Sequence, residues 1–276
     1  MERTRPSLGL VEAGGVRVWS DPRLLAEQGV VIGFSERRGG VSETPFRSLN
    51  LAAHVGDDPE VVDANRTRFL GALGLRSLRS SLTVPEQVHG STITIIGDKE
   101  KGMGAFAARP PRPVPAADAL LTNVPNIPLM LCFADCVPVV LVAPGPAIAV
   151  VHAGWRGALA SLPGAATHRL AEMSGCNERS VVAYIGPHIG GCHYQVGNEV
   201  MSQFINAFGT FARADSGGLD LDAAVTASLT DAGVAQCNIA RLEVCTTEAT
   251  DRFFSFRAEH GRTGRHAALA CILRSG

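Results

Sequence analysis

Between Ile127 and Val151 lies the most apolar stretch of the chain, long enough to cross a bilayer if it formed one helix. Asp135, Pro138, Pro144 and Pro146 interrupt it. Proline removes a backbone donor and breaks an interior helix, so the stretch divides into shorter pieces. Three remain: PLMLCF (128–133), VPVVLVA (137–143) and AIAVVH (147–152). Continuous apolar runs of this length predict strands buried on both faces. A chain of 276 residues with 46% hydrophobic content can bury such strands in a large core.

The flanking segments alternate between helical and strand patterns. Val30–Phe34 predicts a strand, followed by a loop dense in Gly, Ser and Arg. Asp58 and Pro59 cap a helix running to about Leu75, with Val62, Phe69 and Leu73 on its apolar face. Ser81–Val84, Thr92–Ile96 and Ser180–Ile185 read as strands. A helix follows Gly157, with Pro163 either kinking it or marking its true start. Gly197–Phe208 and Leu221–Ala232 read as helices, the second capped by Asp220 and stopped at Gly233. Leu242–Val244, Phe253–Phe256 and Ala267–Leu273 predict a strand-rich C-terminus. Residues 102–117 hold four prolines and read as an exposed loop inserted between strands. The pattern predicts one α/β domain spanning residues 1–276, with mixed sheets.

Charge and cysteine usage narrow the partners. Lys+Arg number 25 against 26 Asp+Glu, without a polybasic run, which disfavours a bulk electrostatic grip on nucleic acid or anionic membrane. Seven scattered cysteines do not form a disulfide scaffold and point to a reducing compartment. The N-terminal MERTRPSLGLVEAGG lacks the apolar segment of a secretory leader, so a cytoplasmic location is expected.

Three positions carry chemistry: His89 in PEQVHG, Cys136 in ADC after one buried strand, and His152 in VHAGWRG at the end of another. Side chains at strand ends meet at a sheet's rim, where clefts form. Two imidazoles and a thiolate suit Zn²⁺, and three protein ligands leave a fourth position open for water or substrate. The alternative is a buried cysteine packing as a small hydrophobe, with histidines satisfied by backbone. Copper is a competing ion for the same donors.

QVHG, ADC and VHAGWRG, in this order, resemble the YfiH family of bacterial proteins, variously named laccase-domain proteins, polyphenol oxidases, peptidoglycan editing factor and purine nucleoside phosphorylases. SERRGGVS (35–42), SLNL (48–51), GPHIG (186–190), FFSFR (253–257) and TGR (263–265) extend the resemblance across about residues 30–274. It implies a layered αββα fold and a zinc site at His89, Cys136 and His152, the same residues being catalytic. The implied activity is phosphorolysis of adenosine, inosine and methylthioadenosine, with adenosine deamination beside it. Many relatives carry a second Cys and a Glu in the segment where this chain has His193 and Gln195.

For phosphorolysis, arginine forks suit phosphate. Arg37 is the first candidate, because Gly39 and Gly40 would let backbone amides approach the same anion; an ion-paired structural role is the alternative. Arg156, Arg257 and Arg265 follow. Asn50 and His54 are candidates for ribose or base, although Asn50 equally suits loop backbone. Asp135 either orients a ligand imidazole or points away from Cys136. Trp155 is either a purine wall or a packing anchor. Adjacent Cys192 and His193 are not expected to meet. The expected partners are a purine nucleoside and phosphate, acting on a monomer or weak homodimer. A muramyl-precursor amidase using Cys136 and His152 as a hydrolase pair is the rival reading. A copper polyphenol oxidase ranks below it, because the eight histidines contain no HxH pair.

Overall fold

In the computed structural model, which describes residues 5–274, the apolar stretch folds as three strands joined by tight connections. These are β6 (Leu129–Phe133), β7 (Val137–Ala143) and β8 (Ala147–Ala153), every residue of which is buried. Strand alternation divides their side chains between two cores. Val139, Leu141, Ala149 and Val151 face a helical layer, whereas Val140, Val142, Ile148 and Val150 face a second sheet. Among the described residues no helix is long and apolar enough to cross a membrane.

The first sheet is antiparallel, in the order β1 (Gly9–Ala13), β2 (Val16–Ser20), β3 (Val30–Ser35), β11 (His266–Ile272), β6. The second runs β10 (Ile239–Arg241), β9 (Val182–Ile185), β7, β8, β5 (Ala119–Thr122), β4 (Ile93–Ile95). It is mixed, since β9–β10 and β4–β5 pair in parallel. Helix α2 (Pro59–Ala72) covers the first sheet with Phe69 and Leu70. On the second sheet pack α3 (Trp155–Leu159), α4 (Leu162–Ser174), α5 (Asn198–Phe208) and α6 (Leu221–Asp231). The layers are therefore α, β, β, α. A short α1 (Arg23–Gln28) bridges β2 and β3.

Local chemistry explains the helix starts. The Asp58 and Asp220 side chains accept from the backbone amides of Glu60 and Ala223. Pro163 begins a helix, because it occupies the first turn of α4, where its missing N–H costs nothing.

Several expectations are corrected. Residues 76–81 form a 3₁₀ helix, and beyond it only an isolated bridge joins Thr83 to Leu129, so Ser81–Val84 is not a strand. Helix α2 stops at Ala72, with Leu73 as its cap. The last parallel strand is Ile239–Arg241 rather than Leu242–Val244. Phe253–Phe256 lies among turns: Phe253 and Phe254 fill the core and Phe256 is exposed. The 102–117 loop does sit between β4 and β5, but only 108–113 forms a continuously exposed tip. Ala105, Val114 and Ala117 are buried, and the buried Arg66 donates to the Gly104 and Ala105 carbonyls. The N-terminal residues 1–4, part of the stretch read for a leader, lie outside the described residues.

Candidate active site

His152 is the penultimate residue of β8, with its side chain on the inter-sheet face. Cys136 precedes β7, and His89 sits in the loop before β4 with φ 56°. Their donor atoms all lie within 4.8 Å of one another. The two imidazoles meet edge to face, with centroids 4.7 Å apart. Gly154 makes this approach possible: a Cβ there would stand 3.3 Å from Cys136 Sγ and 3.4 Å from His89 Cδ2.

Asp118, buried immediately before β5, organises the group. Its Oδ1 accepts from the His89 amide at 3.0 Å and lies 2.8 Å from His152 Nδ1; its Oδ2 accepts from the Gly90 amide at 2.7 Å. Burial works against the charged carboxyl, but the bonds from His152, Gly90 and His89 prevail and hold it below the usual carboxylate range. With Nδ1 donating to Asp118, His152 turns Nε2 toward Cys136 and His89. Burial likewise opposes a Cys136 thiolate, yet the neighbouring His152 and His89 outweigh it and lower the thiol. His152 moves upward for the reciprocal reason: Cys136 and then Asp118 overcome the burial that disfavours its imidazolium. An N/N/S donor set with a poised thiolate, and a carboxylate fixing one imidazole, fits a transition-metal ion.

The three donors open into a cleft of about 370 Å³. Trp155, Tyr194 and Phe256 give it aromatic walls, and Arg257 and Arg265 line it with positive charge. His54 and Gln87 also line it. Arg265 is half-buried and donates through Nη1 to the Thr263 and Gly264 carbonyls. The exposed Arg257 reaches the His193 and Gln195 carbonyls at 3.4 and 3.2 Å. Arg156 stacks on Trp155 at 4.2 Å, exposed beside the cleft.

Two other candidates fall elsewhere. Arg37 does not line the cleft: its guanidinium donates to the Arg47 and Thr250 carbonyls, pairs with Glu259 at 3.0 Å and stacks on Phe254. Asn50 is fully buried; it donates to the Ala52 carbonyl and Asp57, and accepts from the Ala52 and Arg265 amides. Both hold loops together. Asp135 also lines the cleft, with its carboxylate engaged by Thr246 Oγ1 at 2.6 Å and the Arg257 amide at 2.7 Å. Cys132, on β6, is buried and also lines the cleft. Cys192 and His193, not expected to meet, do so at 2.9 Å. Asp118 was missed: a lone Asp before an apolar strand has no motif, and only the fold brings it under His152.

A family model described as "multi-copper polyphenol oxidoreductase laccase" matches residues 31–273. Purine nucleoside phosphorylase YlmD of Geobacillus stearothermophilus is 36% identical over 251 residues, covering 87% of this chain and 89% of the relative. A purine nucleoside phosphorylase of Streptomyces coelicolor is 36% identical over 249 residues, covering 88% and 96%. The crystal structure of Bacillus licheniformis hypothetical protein YfiH superposes with a TM-score of 0.85 at 30% identity, covering 95% of this chain and 98% of that one.

Proposed function

The chain belongs to the YfiH family, the laccase-like family matched over residues 31–273, and from that premise we propose that it is a zinc-dependent purine nucleoside phosphorylase. Its substrates are adenosine, inosine and methylthioadenosine, with adenosine deamination as a second activity. The observation that carries this reading is the convergence of His89, Cys136 and His152, backed by Asp118, on a cleft with aromatic walls and two arginines.

In phosphorolysis a phosphate oxygen bonds to C1′ of the ribose. The bond from C1′ to the base nitrogen breaks, and its electron pair leaves with the base, which takes up a proton. Arg257 and Arg265 supply the positive charge that holds phosphate near the sugar. Trp155, Tyr194 and Phe256 offer faces on which a purine stacks and exclude water around it. His89, Cys136 and His152 would hold Zn²⁺, which when bound supplies Lewis acidity toward a substrate oxygen or a water. Asp118 keeps the proton on His152 Nδ1, so that Nε2 remains the donor facing the cleft. Copper competes for the same donors. A multicopper oxidase needs more imidazoles than the three that line this cleft, His54, His89 and His152.

A second reading rests on the alignment of Asp118, His152 and Cys136, which matches an orienting carboxylate, a base and a thiol nucleophile. In that case the substrate is an amide of a muramyl precursor. The deciding experiment gives metal-quantified protein adenosine, inosine and methylthioadenosine, each with and without phosphate, and reads free base and inosine. Phosphate-dependent base release, lost in Cys136→Ala and restored by zinc after chelation of the unaltered chain, is the expected result. Stoichiometric zinc without phosphate-dependent cleavage removes the phosphorylase reading. In a parallel assay with a muramyl-peptide amide, cleavage that persists in chelator and is lost on thiol alkylation supports the hydrolase instead.

A further inference from the structure

Two turns meet beside the wall of the cleft. One carries Cys192 and His193 after β9; the other carries Cys245 and Glu248 after β10. His193 Nδ1 lies 2.9 Å from Cys192 Sγ, 3.7 Å from Cys245 Sγ and 3.5 Å from Glu248 Oε1; Cys192 Sγ is 3.7 Å from the same carboxylate oxygen. All four donor atoms fall within 4.8 Å of one another. A tetrahedral zinc ion, with Zn–S about 2.3 Å and Zn–N or Zn–O about 2.0–2.1 Å, spaces its donors about 3.4–3.8 Å apart. Three of these four contacts already have that spacing. The short one is the thiol–imidazole hydrogen bond that an ion would replace.

We propose that Cys192, His193, Cys245 and Glu248 form a second metal site, separate from His89, Cys136 and His152, for a divalent ion of borderline softness such as Zn²⁺. The chemistry of the donor set favours this, since two sulfurs, an imidazole and a carboxylate complete four-coordination without water. The backbone is prepared for it: the Gly190 amide donates to Cys245 Sγ at 3.2 Å, as backbone amides do to metal-bound thiolates. Gly190 also leaves room for both sulfurs, because a Cβ there would stand 3.3 Å from Cys192 Sγ and 3.4 Å from Cys245 Sγ. Both cysteines are free thiols, and Cys192 and His193 are exposed, so an ion can enter from solvent. Binding displaces the two thiol protons to solvent.

The position gives the site a role. Tyr194, next to His193, forms part of the cleft wall, and the His193 and Gln195 carbonyls accept from Arg257. Thr246, next to Cys245, donates to Asp135 beside Cys136. An ion at the second site therefore clamps the turn bearing Tyr194 to the turn bearing Thr246 and fixes that wall of the cleft.

The test titrates the reduced full-length chain with Co²⁺ under argon and reads bound metal and sulfur-to-cobalt charge-transfer absorption. Two ions per chain are expected in the unaltered protein and one in Cys192→Ser/Cys245→Ser. Cys136→Ala, which removes the only thiol of the first site, retains one ion and a charge-transfer band. His193→Ala, at an exposed position that leaves the core untouched, weakens the second site at least tenfold. Metal content in the double variant equal to that of the unaltered chain overturns the proposal. So does a Cys136→Ala protein without sulfur-to-cobalt absorption. None of these readouts depends on phosphorolysis.

Discussion

Asp118 accepts hydrogen bonds from the His89 and Gly90 amides and holds the Nδ1 side of His152. One carboxylate thus fixes the loop that carries His89 and the ring of His152. Asp118→Asn keeps the shape but changes the bonding, because an amide nitrogen must now face either the Gly90 N–H or His152. The expected outcome is a folded chain whose zinc affinity drops about 10–100-fold, measured by competition with a chromophoric chelator. Unchanged affinity would mean that Asp118 positions the loop and not the metal ligand. Arg37 and Asn50 show the converse. Both are rich in hydrogen-bonding capacity, and sequence alone leaves substrate and scaffold roles equally open. The structure commits both to the loops of residues 37–57 and 250–265.

At the scale of elements, β11 pairs with both β3 and β6 and places His266 in the core between Phe133 and Phe253. Burial, reinforced by the charges of Arg265 and Arg37 and partly offset by the Pro187 backbone, pushes His266 down to about 3. A base with a depressed folded-state value is neutral in the native protein and protonates first in the unfolded chain. Its contribution is therefore fully present above about pH 6.5 and is lost as pH falls toward 3, by up to about 1.4 kcal/mol per pH unit. His266→Phe, of similar shape, is expected to flatten the fall in urea midpoint between pH 7 and pH 5. An identical slope in both proteins would show that another group controls acid stability. The ends of the neighbouring strands explain the cleft: Cys136 immediately precedes β7 and His152 lies near the end of its partner β8, so the register of the pair brings the two candidate ligands side by side.

Across the whole molecule, the candidate ligands come from both sides of the long 102–117 loop, while the cleft is completed by Tyr194, Phe256, Arg257 and Arg265 from the C-terminal third. An ion bound only by the native arrangement stabilises that arrangement by mass action, about 2.7 kcal/mol at a free concentration 100 times Kd. Removing metal with chelator is expected to lower Tm, and adding zinc back should restore it. The difference should shrink in Cys136→Ala. A Tm indifferent to chelator in the unaltered chain would place metal binding outside the folded-state energetics.

The sequence by itself determined the buried strands, because proline and aspartate cut an apolar run into pieces too short for anything but a packed sheet. It also determined the helix starts at Asp58 and Asp220, which depend on local capping chemistry, and it singled out His89, Cys136 and His152 through the motifs around them. The edge hairpin β1–β2 and strand β5 were not legible, since their short segments gain order only from neighbouring strands. Phe253–Phe256 misled for the same reason: Phe253 and Phe254 fill the core from a turn, with no partner strand to pair. Asp118 under His152, Arg37 against Glu259 and the meeting of Cys192 with Cys245 are contacts between residues far apart in the chain. Local pattern carries no information about such pairings, so only the packing of two sheets and their loops decided them.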